Sequence, residues 1–332
     1  FQKYLELKRK ENFIDFDDII QLAIRFLAEV ANYAEARHWK FKDLFVDEFQ
    51  DVNPLQFALL QAWLGSSSSL TVVGDPCQAI YSWNGADARF LNDFEKYFPN
   101  SQTVILKDNF RSSPEILALS SSILPMMEHL DSKKQSGRLP TIRAELDEYE
   151  EARSVARLVK ELAVGDIDLG DQAVLVRTHA QIPPIIEVFK EREIKFMVAS
   201  DAESGAGRDD GVQILTLHAA KGLEWKIVHL CGVEEGFHPI SHADTELALE
   251  EERRLFFVGL TRAEEQLHIS WARNRALGSK RSRKPSVYIR ELSDLLDPTP
   301  LKFGGDMKDL SQKIRAFLSY QSVTDHQPKV LY

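Results

Sequence analysis

The sequence has 332 residues, 44% of them hydrophobic and 28% charged, which is chain enough for two packed domains and a composition outside the disordered classes. Lys and Arg number 41 against 51 Asp and Glu, a formal charge of −10. That argues against wrapping duplex nucleic acid by charge alone, yet allows a narrow channel with local positive potential and stacking aromatics. No apolar run can span a bilayer and no signal peptide is visible, and the two cysteines, Cys77 and Cys231, lack metal-ligand spacing, so they read as free thiols in a reducing cytoplasm.

Phe1–Lys10 reads as a charged helical stretch without an initiator Met, as in a fragment. Short apolar runs then end in polar turns: Leu44–Val46 into Asp47, Leu70–Val73 into Gly74-Asp75, and Val104–Leu106 into Lys107-Asp108. Ser112-Ser113-Pro114-Glu115 opens a helix, with a hydroxyl cap and Pro in the first turn. A break falls near Asp131–Pro140. Further strands are expected at Ala173–Val176, Val212–Leu217 and Ile227–Leu230, with Pro183-Pro184 before a helix at Ile185–Glu193. Residues 200–211, small and Gly-rich, read as a linker. Residues 273–284 are basic, either a solvated loop or a nucleic-acid contact. In the tail, Leu310, Ile314, Phe317 and Leu318 share one helix face, better suited to packing on the core than to a partner. Buried strands alternating with helices predict an α/β fold with parallel sheets, and ligands at the carboxyl ends of the strands.

Five stretches carry chemistry. Asp47-Glu48, delivered by a buried strand and followed by Phe49-Gln50-Asp51, suits Mg²⁺ binding and water activation, although an isolated Asp-Glu pair is usually only solvated. Gly74-Asp75-Pro76-Cys77-Gln78 ends a second strand and leads to Tyr81 and Trp83, which are either core plugs or stacking platforms for unpaired bases. Asp108-Asn109-Phe110-Arg111 places an arginine at a turn into a helix, as a phosphate ligand or a helix-cap ion pair. Thr216-Leu217-His218-Ala219-Ala220-Lys221-Gly222-Leu223-Glu224-Trp225 empties a strand into a hydroxyl, a His and a Lys; alone, His218 reads as structural. Glu251–Ala263 carries Leu255, Phe256, Val258 and Gly259 on one packed helix face, with Arg262 a turn further on as a dipole-stabilising cation or an arginine finger.

In this order, DEFQD, GDPCQAIYSW, NFRS, TLHAAKGLEW and EERRLFFVGLTRA resemble motifs II to VI of the UvrD/Rep/PcrA helicases of superfamily 1, and Ile14–Ile19 resembles the segment preceding motif II. The likeness runs from about Phe13 to about Pro285. It implies RecA-like parallel sheets with flanking helices, of the P-loop NTPase class. A remnant of the first RecA-like domain would occupy residues 1–106 and the second domain 107–298, with 200–211 in place of the family's helical insertion and a tail at 299–332. The resemblance gives Asp47 to Mg²⁺, Glu48 to the catalytic base and Gln78 to the γ-phosphate of ATP, with Arg111 and Arg262 arriving at that phosphate. Phe110 would stack on adenine and Glu224 contact the ribose, with Asp75 counted among the nucleotide-site residues. Tyr81, Trp83, Thr216, His218 and Lys221 would face single-stranded DNA or link it to the nucleotide.

Departures from the family pattern bound these expectations. No G-x-x-x-x-G-K-[ST] phosphate loop occurs, so the chain alone is expected not to hydrolyse ATP. Asn84 stands where an Arg is common, and Cys77 and Ala79 vary from the usual polar pattern. The resemblance implies a 3′-to-5′ DNA helicase of repair or replication as the parent, acting on single strands or junctions and meeting repair proteins. A non-catalytic module that binds DNA or protein stays open, as does a relative from a recombination helicase–nuclease complex. A dehydrogenase is excluded because no G-x-G-x-x-G follows a strand.

Overall fold

The computed structural model describes residues 2–64, 69–124, 130–164, 167–198, 211–275, 282–291 and 295–297. The tail and its apolar helix face, nearly all of the Gly-rich linker and the middle of the basic stretch lie outside the described residues. The chain forms two compact units, Phe1–Val104 and Ile105–Tyr332.

In the first unit, helices α1 (Gln2–Glu11), α2 (Phe16–Glu29) and α3 (Ala31–Lys40) precede a parallel pair of strands, β1 (Asp43–Val46) and β2 (Ser69–Val72), with α4 (Pro54–Trp63) between the strands. Asp15 caps α2 in a reciprocal box with Asp18, each side chain accepting the other's backbone N–H at 2.9 Å. Lys8 bridges both carboxylates at 2.5 Å, which fixes the start of α2 against α1. Asn53 and Gln56 repeat the box at α4, with Pro54 in its first turn. Phe49, Phe57, Leu60 and Phe90 form the core of this unit, and Phe57 stacks on Phe90 with ring centroids 4.1 Å apart. Short helices α5 (Arg89–Asn92) and α6 (Phe94–Tyr97) close over that aromatic cluster.

The second unit is built on a six-stranded parallel sheet. In chain order its elements are β3 (Asp108–Asn109), α7 (Pro114–Ile123), β4 (Asp131–Ser132), β5 (Thr141–Asp147), α8 (Glu148–Val164), β6 (Gln172–Val176), α9 (Ile182–Glu191), β7 (Phe196–Val198), β8 (Val212–Thr216), β9 (Trp225–Leu230), α10 (Glu246–Leu260), β10 (Ala263–Asn274) and α11 (Val287–Glu291). The sheet order is β5-β10-β9-β6-β8-β7, with β3 and β4 pairing apart from it. Strands β6 and β8 are buried along their whole length, Gln172 and Gln213 included, which explains why their apolar residues do not alternate with exposed polar ones. Val174, Val176, Ile214, Val159, Ile185 and Phe189 pack one face of the sheet against α8 and α9.

Three local expectations are corrected. The strand that leads to Asp47 is not buried: in β1 and β2 only Leu44, Val46, Leu70 and Val72 pack on the core, and Phe45 on the other face is 77% exposed. Val104–Leu106 is not a strand: Val104 and Leu106 are each 78% exposed, and among the described residues no strand pairs with them, so the apolar run has no ladder to join. The strand comes later, at Asp108–Asn109. Pro183 and Pro184 do not precede their helix but sit in the first turn of α9, where the backbone N–H they lack needs no partner.

Candidate functional site

In the first unit the chemistry gathers where β1 and β2 end side by side, with Val46 opposite Val72. Asp47 accepts the Glu48 N–H on its own carboxylate at 2.9 Å. Glu48 takes the left-handed conformation, φ 51°, which turns the chain sharply into a 3-10 turn at Phe49–Asp51. A non-glycine residue in that conformation at the end of a strand marks strain of the kind active sites retain.

Gln50, 1% exposed, ties the two strand ends together. Its Nε2 donates to Glu48 Oε2 at 2.5 Å, and its Oε1 accepts the Asp75 N–H at 3.0 Å. Asp75 in turn caps the next 3-10 turn by accepting the Cys77 N–H at 2.9 Å and takes the Gln78 Nε2 at 2.8 Å. One relay of hydrogen bonds therefore runs Glu48–Gln50–Asp75–Gln78. Gly74 leaves room for it, since a Cβ there would meet Gln50 Oε1 at 2.6 Å and Leu91 Cδ2 at 2.8 Å. Beyond the relay, Trp83 is 69% exposed and meets Tyr81 edge-on at 6.3 Å; the turn closes at Gly85, φ 85°. Tyr81 is half-buried, so the pair combines an anchored ring with an open one.

In the second unit the polar candidates occupy both edges of the sheet. Thr216 ends β8, and residues 217–224 then cross back to the amino end of β9, where Trp225 pairs with Ala263, the first residue of β10. Helix α10 runs in the same sense and delivers Arg262 to that amino edge. The arginine cluster thus lies at the amino end of its strands, opposite to the expectation for ligand sites in open sheets. Both connections reverse direction against the parallel strands, and this is what carries them there.

At that edge Arg111 Nε donates to Glu224 Oε2 at 2.5 Å, with both side chains partly exposed. Asn109 orders the turn by accepting the N–H groups of Arg111 at 3.1 Å and Ser112 at 3.0 Å. The Ser112 hydroxyl donates to the Ala263 carbonyl at 2.7 Å, and Ser113 caps α7. Phe110 beside them is 71% exposed. The ion-pair partner of Arg111 is Glu224, not the end of α7. Arg262, 1% exposed, donates to the carbonyls of Val258 and Leu223 at 3.0 Å each. Its bond to Val258 is that of a last-turn cation on α10. His218 and Lys221 are half-buried on the crossover.

The structure thus brings Asp47, Glu48, Asp75 and Gln78 into one cluster, Tyr81 and Trp83 beside each other, and Arg111, Glu224 and Arg262 around one sheet edge. Sequence reasoning missed Gln50, whose signal was its place two residues beyond the acidic pair. It also missed two ion-pair networks at the carboxyl edge of the large sheet. Arg177 forks onto Glu252 at 2.6 and 3.1 Å, and Glu252 also accepts the Ile240 N–H at 3.1 Å. Arg275 pairs with Glu234 at 2.6 Å and with Glu151, whose carboxylate accepts the Gly232 N–H at 2.8 Å and the Ser270 hydroxyl at 2.7 Å. Among the described residues no cluster of three or more metal-ligating side chains occurs, and no helix is long and apolar enough to cross a membrane.

Parallel sheets with flanking helices, a carboxylate pair at one strand end and arginines beside a second sheet define the chain as an α/β protein. The comparisons make this specific. Residues 1–99 match the UvrD/REP helicase N-terminal domain, and residues 104–203 and 198–274 match the UvrD-like helicase C-terminal domain. The chain belongs to the UvrD-like helicase family. It is 28% identical, over 90% of its own length, to the ATP-dependent DNA helicase UvrD2 of Mycobacterium tuberculosis (strain ATCC 25618 / H37Rv), and covers 58% of that protein. With the ATP-dependent DNA helicase PcrA of Bacillus subtilis (strain 168) the identity is 23%, over 89% of this chain and 63% of the relative. The C-terminal domain of a possible DNA helicase from Lactobacillus is similar over 58% of this chain and 99% of that one, at 18% identity and a TM-score of 0.42. The chain spans less than two thirds of the length of these curated relatives.

Proposed function

We propose that this chain is part of an ATP-dependent DNA helicase that moves 3′ to 5′ along single-stranded DNA and serves repair or replication. The observation that carries the reading is the Glu48–Gln50–Asp75–Gln78 relay, which joins the acidic pair to the glutamine of the next strand end. In such an enzyme Glu48 accepts the proton of the attacking water, and the Gln50 amide holds the carboxylate that receives it. Gln78, aimed by Asp75, reads the γ-phosphate. Asp47 fits Mg²⁺, a cation that keeps waters and phosphate oxygens as its other ligands and needs few carboxylates; when bound, the ion neutralises phosphate charge. Arg111 and Arg262 supply positive charge to the transferred phosphoryl group, and their arrival couples hydrolysis to motion.

Phe110 offers its exposed face to adenine, and Glu224 a carboxylate to the ribose hydroxyls. In the first unit Trp83 and Tyr81 supply stacking for unpaired bases; in the second, Thr216, His218 and Lys221 face single-stranded DNA or link it to the nucleotide. Junction DNA and repair proteins are the partners this reading carries.

The 332 residues contain no G-x-x-x-x-G-K-[ST] loop, so the backbone amides and lysine that cradle β- and γ-phosphates are not supplied by this sequence. We infer that the isolated chain does not turn over ATP at a helicase rate. Phosphate release by the purified chain, measured beside Glu48→Gln, tests this, and turnover above that of the variant overturns it. The acidic balance of the chain, 41 basic against 51 acidic residues, favours a second reading, a non-catalytic module that binds DNA or protein. A coding sequence upstream of Phe1 that encodes a strand and a phosphate loop would decide for the enzyme.

A further inference from the structure

Arg262 is fully buried, and two of its nitrogens donate to main-chain carbonyls. Nε reaches the Val258 carbonyl and Nη1 the Leu223 carbonyl, each at 3.0 Å, and Nη2 lies 3.2 Å from the Thr261 hydroxyl. Its own carbonyl accepts the Trp225 N–H at 3.0 Å. The side chain therefore grips the crossover 217–224 at Leu223, and the main chain of the same residue holds the first residue of β9 just beyond it. The other end of that crossover is held from the same helix: Gly259 lies so close that a Cβ there would meet Leu217 Cδ2 at 2.5 Å. Between the two grips the crossover is a run of hydrogen-bonded turns. Ala219 N–H donates to Thr216 Oγ1 at 3.3 Å, Ala220 N–H to the Thr216 carbonyl at 3.1 Å, Lys221 N–H to the His218 carbonyl at 3.3 Å and Leu223 N–H to the Ala220 carbonyl at 3.1 Å. A displacement at Leu223 is thereby passed back to His218 and Lys221, and forward to Glu224.

We propose that Arg262 is a positioning residue for single-strand binding: through the Leu223 carbonyl it fixes the crossover 217–224, and with it the placing of His218 and Lys221 on the strand. The proposal rests on the reading of residues 216–221 as strand contacts. It assigns Arg262 work in the absence of nucleotide, before any phosphate is present. A buried guanidinium is costly to leave unmatched, so its hydrogen bonds pass from carbonyl to phosphate or stay where they are. A phosphate that draws to itself the Nη1 N–H now on the Leu223 carbonyl releases that grip. Nucleotide and strand affinity are then coupled through this one side chain, and the coupling is reciprocal.

The test uses the whole 332-residue chain without nucleotide, a fluorescein-labelled oligothymidylate as probe, and hydrogen exchange of the peptides covering 217–225. Arg262→Gln is expected to weaken oligonucleotide binding by about two- to tenfold, the loss expected for one hydrogen bond. It should also raise exchange in 217–225 while the circular dichroism spectrum is kept. Arg262→Lys, which keeps the charge but not the fork, should fall between. Unchanged affinity and unchanged exchange in both folded variants would mean that Arg262 serves phosphate alone, and would overturn the proposal. Failure of both variants to fold would make Arg262 a residue of the core and overturn it too. If the wild-type chain binds no oligonucleotide, the strand-contact reading fails, and the exchange arm still decides whether Arg262 holds the crossover.

Discussion

Acid should unfold the second unit through its buried histidines. His229 and His238 are each 1% exposed, and burial pushes each imidazole down to about 3, with Arg143 acting further on the first and Arg177 and Arg275 on the second. His268 stacks on His229 with centroids 5.4 Å apart and is held well below 6.5 by burial, by His229 and by Arg143. All three are neutral in the folded state near neutrality. Unfolding lets them titrate near 6.5, so stability present above that pH is lost as pH falls toward 3. At pH 5 each of His229 and His238 forfeits about 1.5 units, or about 2 kcal/mol, and the two together about 4 kcal/mol. Glu145, whose carboxyl burial raises, works the other way and stabilises as pH falls. His229→Gln separates the contributions, because it should remove about 2 kcal/mol of the loss. Urea denaturation followed by circular dichroism at pH 7.5 and 5 gives both quantities. Equal stability at the two pH values, or a His229→Gln variant with the full wild-type loss, would refute the reasoning.

Other perturbations act on the grips described above. Gly74→Ala and Gly259→Ala each push a Cβ within 2.6 Å of a neighbour, and each should cost about 1–3 kcal/mol in urea denaturation; a neutral result would mean that Gln50 or Leu217 moves freely. Glu234→Gln removes the charge opposite buried Arg275 and should cost about 3–5 kcal/mol, where a cost below 1 kcal/mol would show that Glu151 suffices. Trp83→Ala should leave stability unchanged, since the ring is 69% exposed, and lower oligonucleotide affinity by about 1–3 kcal/mol in a fluorescence titration. Equal affinity would remove Trp83 from the strand path.

The strand ends that carry Asp47 and Asp75 were legible because a short apolar run stops at the first polar residue, although those strands are covered on one face only. The helix start at Ser113 was legible for a similar local reason, a side chain that caps within three residues. What was not legible is long-range. Glu151 lies 81 residues from the Gly232 amide that it accepts and 124 from Arg275, and nothing in local pattern reports such a meeting. Arg111 and Glu224 were each placed near the nucleotide, but their ion pair across 113 residues came only from the fold. Val104–Leu106 shows the converse failure: an apolar run is only a strand where a neighbour supplies the ladder.

The most direct test of the account is a titration of the isolated chain with single-stranded oligonucleotide and, separately, with Mg-ATP, over a range of salt. The chain should bind the oligonucleotide with a moderate salt slope, weakened by Trp83→Ala, and should not bind Mg-ATP tightly. Tight Mg-ATP binding, or no binding of the oligonucleotide at any salt, would contradict it.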